Sequence, residues 1–144
     1  MLHKMTNRKK QKAFSLIELL LVMVILATLA AIVVPKFTGR SKEAKITAAK
    51  AQIGNFETAL DAFEVDNGFY PEGDTGLQAL VEEPSDAKNW HGPYLKKGIP
   101  NDPWGNPYNY EYPGKNNEEG YDISSNGPDG KKGTEDDIDN WTTE

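Results

Sequence analysis

AFSLIELLLVMVILATLAAIVV, residues 13–34, decides the fold, and Pro35 and a charged segment follow it at once. A run of about 20 mostly apolar residues is what a helix needs to cross the roughly 30 Å hydrocarbon core of a bilayer. Glu18 interrupts the apolar run near its start. An ionised carboxylate at the centre of such a helix costs on the order of 2.5 kcal/mol or more, so it is there for a partner or a function, or it sits close enough to the interface to be tolerated.

The flanks orient the span. Residues 1–12 carry Lys4, Arg8, Lys9, Lys10 and Lys12 and no acid, and a basic cluster beside an apolar helix stays in the cytoplasm. The rest of the chain then lies outside. A secretory signal peptide has a shorter apolar stretch, with its small-residue cleavage site after it. Here the run is longer, and Ala13 precedes it. Any cut should therefore remove the basic leader and leave the apolar helix as the new N-terminus.

The 144 residues allow one small soluble domain beyond the span. Of a net charge of −6, the part after Val34 holds 11 basic and 21 acidic residues. Such an acidic domain argues against nucleic acid or an anionic membrane as its main partner. With no cysteine, a disulfide framework is excluded, and some other staple is expected.

Past Pro35 the helical pattern resumes. Ile46, Ala49, Ile53, Phe56, Leu60 and Phe63 recur at spacings of three and four, one apolar stripe that needs a core. Pro35 is expected to kink or locally melt the helix, and Asn67-Gly68 to end it. A short helix capped by Thr75 is predicted over 76–82. A long connection follows over 84–107, with Trp90, Tyr94 and Trp104 packing on the helix stripe rather than forming a ligand platform. Strands are predicted over 107–112 and 120–125, joined by a turn, with a third over 138–141. The expected fold class is α+β, a long N-terminal helix on a small antiparallel sheet.

The tail SNGPDGKKGTEDDIDN, residues 125–140, gathers Asp129, Glu135, Asp136, Asp137 and Asp139 around Gly127, Gly130 and Gly133. Calcium takes six to eight oxygens from carboxylates, carbonyls and water, and this loop can supply them. It lacks EF-hand spacing, and an acidic, glycine-rich loop also reads as a plain solvated turn. An enzyme is not expected. The histidines are His3 and His91 alone, and no triad, zinc site or phosphate cradle is spelled out.

Lys12-Ala13-Phe14-Ser15-Leu16-Ile17-Glu18-Leu19 resembles the class III signal of type IV pilins and type II secretion pseudopilins. The blocks 68–71 (GFYP), 76–81 (GLQALV), 90–95 (WHGPYL) and 102–108 (DPWGNPY), with the tail at 125–130 and 136–141, are similar to the major pseudopilin family of the type II secretion system. The resemblance implies a pilin-like fold and cleavage between Ala13 and Phe14, where the family usually has Gly at the Ala13 position. It further implies N-methylation of Phe14 by a prepilin peptidase and an assembly role for Glu18. An ammonium on Phe14 meeting the Glu18 carboxylate of a neighbour would act as a register device, because either charge alone is costly in an apolar setting.

In the tail the resemblance implies a calcium (Ca2+) site with Asp129, Asp136 and Asp137 as side-chain ligands and the carbonyls of Asn126 and Thr134 as further candidates. Asn126 departs from the family, which commonly has an apolar residue there. The implied protein is a homopolymer subunit with no nucleic-acid partner. Its partners would be minor pseudopilins, prepilin peptidase, an inner-membrane assembly platform and an outer-membrane secretin. Residues 1–13 would be a cleaved cytoplasmic leader, 14–34 a single-pass inner-membrane helix, and 35–144 a periplasmic domain that ends up in a fibre. Two readings compete with it: a type IV pilin of a surface fibre, and a non-polymerising, membrane-anchored calcium-dependent binding module with its cleft near Trp90 and Trp104.

Overall fold

A computed structural model of the chain describes residues 14–73 and 75–143. The basic leader and Ala13, and with it one side of the expected cleavage point, lie outside the described residues. The chain divides into two compact units, Met1–Arg40 and Ser41–Glu144.

Helix α1 spans Leu16–Asn67. Its backbone is helical through residues 34–38, so the local melting weighed for Pro35 does not occur; the side chains of 34–38, including that of Pro35, lie outside the described residues. In the first unit, none of the apolar window Leu16–Val33 is buried. At the other end, Gly68 takes φ +81° and its N–H donates to the Glu64 carbonyl at 2.7 Å. That is the left-handed C-terminal cap for which glycine carries no Cβ penalty.

The second unit is built on the predicted stripe. Ala49, Ile53, Phe56, Leu60 and Phe63 are buried, Ile46 packs against them, and Leu77, Leu80, Ala87, Tyr108, Tyr121, Ile123 and Ile138 close the core. Trp90, Tyr94 and Trp104 are half-buried against this core, as the sequence led one to expect. Trp90 donates its indole N–H to the Ala79 carbonyl at 2.8 Å, and the Tyr94 hydroxyl donates to Asp66 Oδ2 at 2.7 Å.

The short helix expected over 76–82 is a 3₁₀ helix, Gly76–Leu80, and Thr75 does not cap it. The Thr75 hydroxyl donates instead to the Glu72 carbonyl at 3.1 Å. Three residues per turn put Leu77 and Leu80 on one side, and both are buried. The core selects the tighter helix.

Strands β1 (Asn109–Glu111), β2 (Asp122–Ser125) and β3 (Ile138–Asp139) form an antiparallel sheet in the order β1-β2-β3. Tyr110 pairs with Ile123, and Ser125 with Ile138. Each strand is shorter than its sequence pattern, and at β3 side chains are the reason. After β3 the Asn140 N–H still donates to the Ile123 carbonyl at 3.2 Å, but the Ile123 N–H goes at 2.9 Å to the Asn140 side-chain oxygen in place of its backbone carbonyl. Asp139 Oδ1 accepts the N–H groups of Trp141 and Thr142 at 3.1 and 2.7 Å, curling the chain off the sheet.

Two buried carboxylates hold the loops. Asp102 Oδ1 accepts the N–H groups of Trp104 and Asn106 at 3.0 and 2.8 Å, and its Oδ2 accepts the Ser125 hydroxyl at 2.7 Å. The 102–106 turn is thereby bolted to the end of β2. Asp122 accepts the backbone N–H groups of Lys115, Asn116 and Asn117, and the Asn116 side-chain amide, each at 2.9 Å.

Burial pushes the Asp122 carboxyl up, but the N–H donors of Asn116, Asn117 and Lys115 outweigh it and leave the group below its ordinary value. A carboxyl that is more acidic when folded stabilises the protein above its unfolded value of about 4, and loses that effect as pH falls through the lower folded value. Asp122→Ala strands these donors in a buried place. It is expected to lower stability by about 3 kcal/mol at pH 7. Urea unfolding at pH 7 and pH 3 checks this, with the gap between native chain and variant narrowing at the lower pH.

Candidate functional site

At the head of α1 the sequence Ser15-Leu16-Ile17-Glu18 folds as a reciprocal cap. Glu18 Oε2 accepts the Ser15 N–H at 2.9 Å, and the Ser15 hydroxyl oxygen accepts the Ile17 N–H at 3.2 Å. Two otherwise orphaned donors are satisfied, which is the capping-box arrangement of Ser-x-x-Glu before an apolar run. Sequence reasoning missed this role, although the four-residue signal was in plain view. Phe14 is 81 % exposed, Leu16 80 % and Ile17 74 %. An apolar surface of this extent does not persist in water, and it marks a helix meant for lipid or for other protein.

In the tail, Asp129, Asp136 and Asp137 come together, each offering a carboxylate oxygen within 4.8 Å of the others. The local sequence explains the convergence. Gly127 has φ +65°, and a Cβ there would collide with the Asp136 carbonyl, so only glycine lets the 134–137 segment fold down on residue 127. The Asp129 N–H donates to Asp136 Oδ2 at 3.1 Å and the Gly133 N–H to Asp137 Oδ2 at 2.7 Å. The other oxygen of Asp136 and of Asp137 faces the Thr134 hydroxyl, and Asp129 Oδ1 accepts the Lys131 N–H at 2.8 Å.

The Thr134 hydroxyl lies between two of these carboxylates. It is 2.6 Å from Asp136 Oδ1, 3.2 Å from Asp137 Oδ1 and 3.1 Å from the Lys131 carbonyl. A hydroxyl has one hydrogen for these three acceptors. The oxygens therefore outnumber the protons among them, the condition a hard cation relieves. The Asp136 carboxyl lies below its ordinary value, chiefly through the Thr134 hydroxyl, with smaller help from the Asp129 N–H and from Lys42 against a burial effect that raises it.

The two carbonyl candidates behave differently. That of Thr134 accepts the Asp137 N–H at 3.2 Å. Asn126 uses its side chain elsewhere, accepting from Asn109 at 2.6 Å and donating to the Gly130 carbonyl at 3.3 Å. Beside them Asn140 joins the tail to α1, donating to Glu57 Oε1 at 3.4 Å and to the Tyr121 carbonyl at 3.2 Å. Neither Trp90 nor Trp104 lines the groove of about 620 Å³ between α1 and Tyr94, Leu95 and Lys96.

The comparisons with known proteins match both halves of this arrangement. The model of the type II secretion system (T2SS) protein G family covers residues 36–141, and that of the prokaryotic N-terminal methylation motif covers residues 8–34. The chain belongs to the type II secretion protein G family. Members named type II secretion system core protein G include one from Pseudomonas aeruginosa, 47 % identical, with 94 % of this chain and 98 % of that one aligned. Another from Escherichia coli is 43 % identical over 92 % of each chain. A Vibrio cholerae member is 40 % identical over 95 % of this chain and 96 % of its own. The fold is similar to the crystal structure of the major pseudopilin from the type 2 secretion system of enterohaemorrhagic Escherichia coli. That likeness has a TM-score of 0.65 at 37 % identity and covers 77 % of this chain and 98 % of that one. The long N-terminal helix on a small antiparallel sheet matches the pseudopilin structure, and the methylation motif overlies the end of the basic segment and the apolar helix.

Proposed function

We propose that this chain is the major structural subunit of a type II secretion pseudopilus, a periplasmic fibre that helps push folded exoproteins through the outer-membrane secretin. The observation that carries the reading is the bare apolar helix: its window Leu16–Val33 is wholly unburied within the chain, on a protein whose family is that of the pseudopilin. Such a helix rests in the inner membrane as a single-pass anchor with residues 35–144 in the periplasm. It leaves that membrane only by packing against the same helix of other copies. Prepilin peptidase would cut between Ala13 and Phe14 and methylate Phe14. An inner-membrane platform, minor pseudopilins and the secretin complete the partners, and no catalytic role enters.

Intact-mass and peptide spectrometry of chain made in a host with a prepilin peptidase test the reading. The expected mature protein begins at methylated Phe14. Retention of residues 1–13 would favour a simple anchored module instead.

The same reading takes the Asp129, Asp136 and Asp137 cluster as a calcium site. Three carboxylates and a hydroxyl short of hydrogens suit a hard, oxygen-seeking cation, and the carbonyls of Asn126 and Thr134 are the further candidates. Calcium there would supply charge neutralisation and a cross-link between residues 126–129 and 134–137, the staple that a chain without cysteine lacks. Gly127→Ala is expected to open this loop, because the added methyl meets the Asp136 carbonyl at a backbone angle that L-residues avoid. A fall in stability of about 1–3 kcal/mol, read as a lower thermal midpoint, checks it.

A further inference from the structure

Charge is distributed unevenly beyond the span. Residues 36–50 hold Lys36, Arg40, Lys42, Lys45 and Lys50 against the single acid Glu43, whereas residues 51–144 hold six basic and 20 acidic residues. A basic neck therefore joins the apolar helix to an acidic body. Once the leader is removed, the neck is the most basic segment of the chain, beside the short pairs Lys96-Lys97 and Lys131-Lys132.

Arg40, Lys42 and Lys45 are exposed on α1, and neither Arg40 nor Lys45 has an ion-pair partner among the described residues. Lys42 lies close enough to Asp136 to influence it, so Arg40 and Lys45 are the freer pair. Arg40 follows Val33 by seven residues, about 10 Å of helical rise, and Lys45 comes five residues later in the chain. Each face of a bilayer adds roughly 5–8 Å of headgroups to the hydrocarbon core. Long basic side chains reach back toward an interface, and the Debye length near 0.15 M salt is about 8 Å. Arg40 is thus within range of headgroup phosphates.

We propose that this neck is a docking surface for anionic phospholipid headgroups of the outer leaflet, which hold it at the membrane before assembly while the acidic body is repelled. The proposal rests on the membrane-anchor reading above. Each basic residue near an anionic surface contributes about fivefold to the docked population. Docking at Arg40 and Lys45 would then hold the subunit in the membrane until assembly contacts replace the lipid.

The chain has no cysteine, so a fluorophore on full-length Ala44→Cys reports the neck alone. The labelled protein is placed in nanodiscs of phosphatidylcholine, with and without about one third phosphatidylglycerol, and quenched with acrylamide. Quenching is expected to fall severalfold with the anionic lipid, to recover in about 1 M salt, and to lose its lipid dependence in Arg40→Gln, Lys45→Gln. Equal quenching in both lipids, or a lipid effect that survives the double substitution, overturns the proposal. Chain that fails to enter nanodiscs of either kind overturns the anchor reading together with it, so the two failures are distinguishable.

Discussion

Chains carrying Glu18→Ala are expected to enter the membrane and to be trimmed, yet to form no fibres. Glu18 makes one contact that is seen and, on the proposed assembly reading, a second across copies; the substitution removes both. One is the cap, in which its carboxylate accepts the Ser15 N–H, an interaction worth about 1 kcal/mol. A helix whose apolar window runs 18 residues inserts without that increment. The other is the charge pair with the Phe14 amine of a neighbouring copy. An amine left unpaired among apolar helices costs about 3–5 kcal/mol per subunit, more than a hundredfold in each addition step and repeated along the fibre. Glu18→Gln separates the two, because glutamine keeps an oxygen for the cap but carries no charge. If charge pairing governs assembly, both variants mature normally by mass spectrometry and yield no fibres by electron microscopy. Normal fibres from Glu18→Gln would reduce Glu18 to a helix cap.

Much of this architecture was legible in the chain because it follows from periodicity. The stripe from Ile46 to Phe63 could be read as a buried face, and it is one. Gly68 as the helix stop and the antiparallel three-stranded sheet were likewise readable from residue type and spacing, whereas the tail's composition gathered five acids and only the family resemblance singled out Asp129, Asp136 and Asp137, which do come together. What escaped depends on partners that spacing does not name. Asp122 is held mainly by backbone N–H groups of 115–117, and every residue but proline offers such a donor, so no side-chain pattern announces it. Asp102 meets Ser125 across 23 positions, a pairing fixed only when the 102–106 turn packs on the sheet. Strand ends were missed for the same reason: Asn140 and Asp139 replace ladder bonds with side-chain bonds. The polar residues that end elements are set by tertiary geometry, whereas the apolar residues that build them are set by local period.

Removing calcium with a chelator is expected to lower the thermal midpoint of the native chain by about 10–20 °C, and to leave that of Asp136→Asn nearly unchanged. Extracellular calcium sites commonly have dissociation constants of about 10⁻⁴ to 10⁻³ M, so the comparison starts from chain held at about 10–100 mM calcium, one hundred times that constant, where an ion that binds only the folded state stabilises it by about 2.7 kcal/mol. For a domain near 100 residues each kcal/mol moves the midpoint by about 4–8 °C. Asp136 is the right position to change because its two oxygens do separate work: Oδ2 accepts the Asp129 N–H and Oδ1 faces Thr134. Asparagine can preserve one of these contacts while removing the charge, so the loop keeps its shape and loses its hold on a cation. Thr134→Val supplies an independent arm, since it deletes the hydroxyl shared by three oxygens without touching a carboxylate. If the cluster binds calcium, the valine variant still responds to the ion, and the titration shifts to higher concentration. If the carboxylates are only a solvated turn, chelator leaves all three proteins at the midpoints they had with calcium, and the staple of this cysteine-free domain must be sought in Asp102 and Asp122 instead.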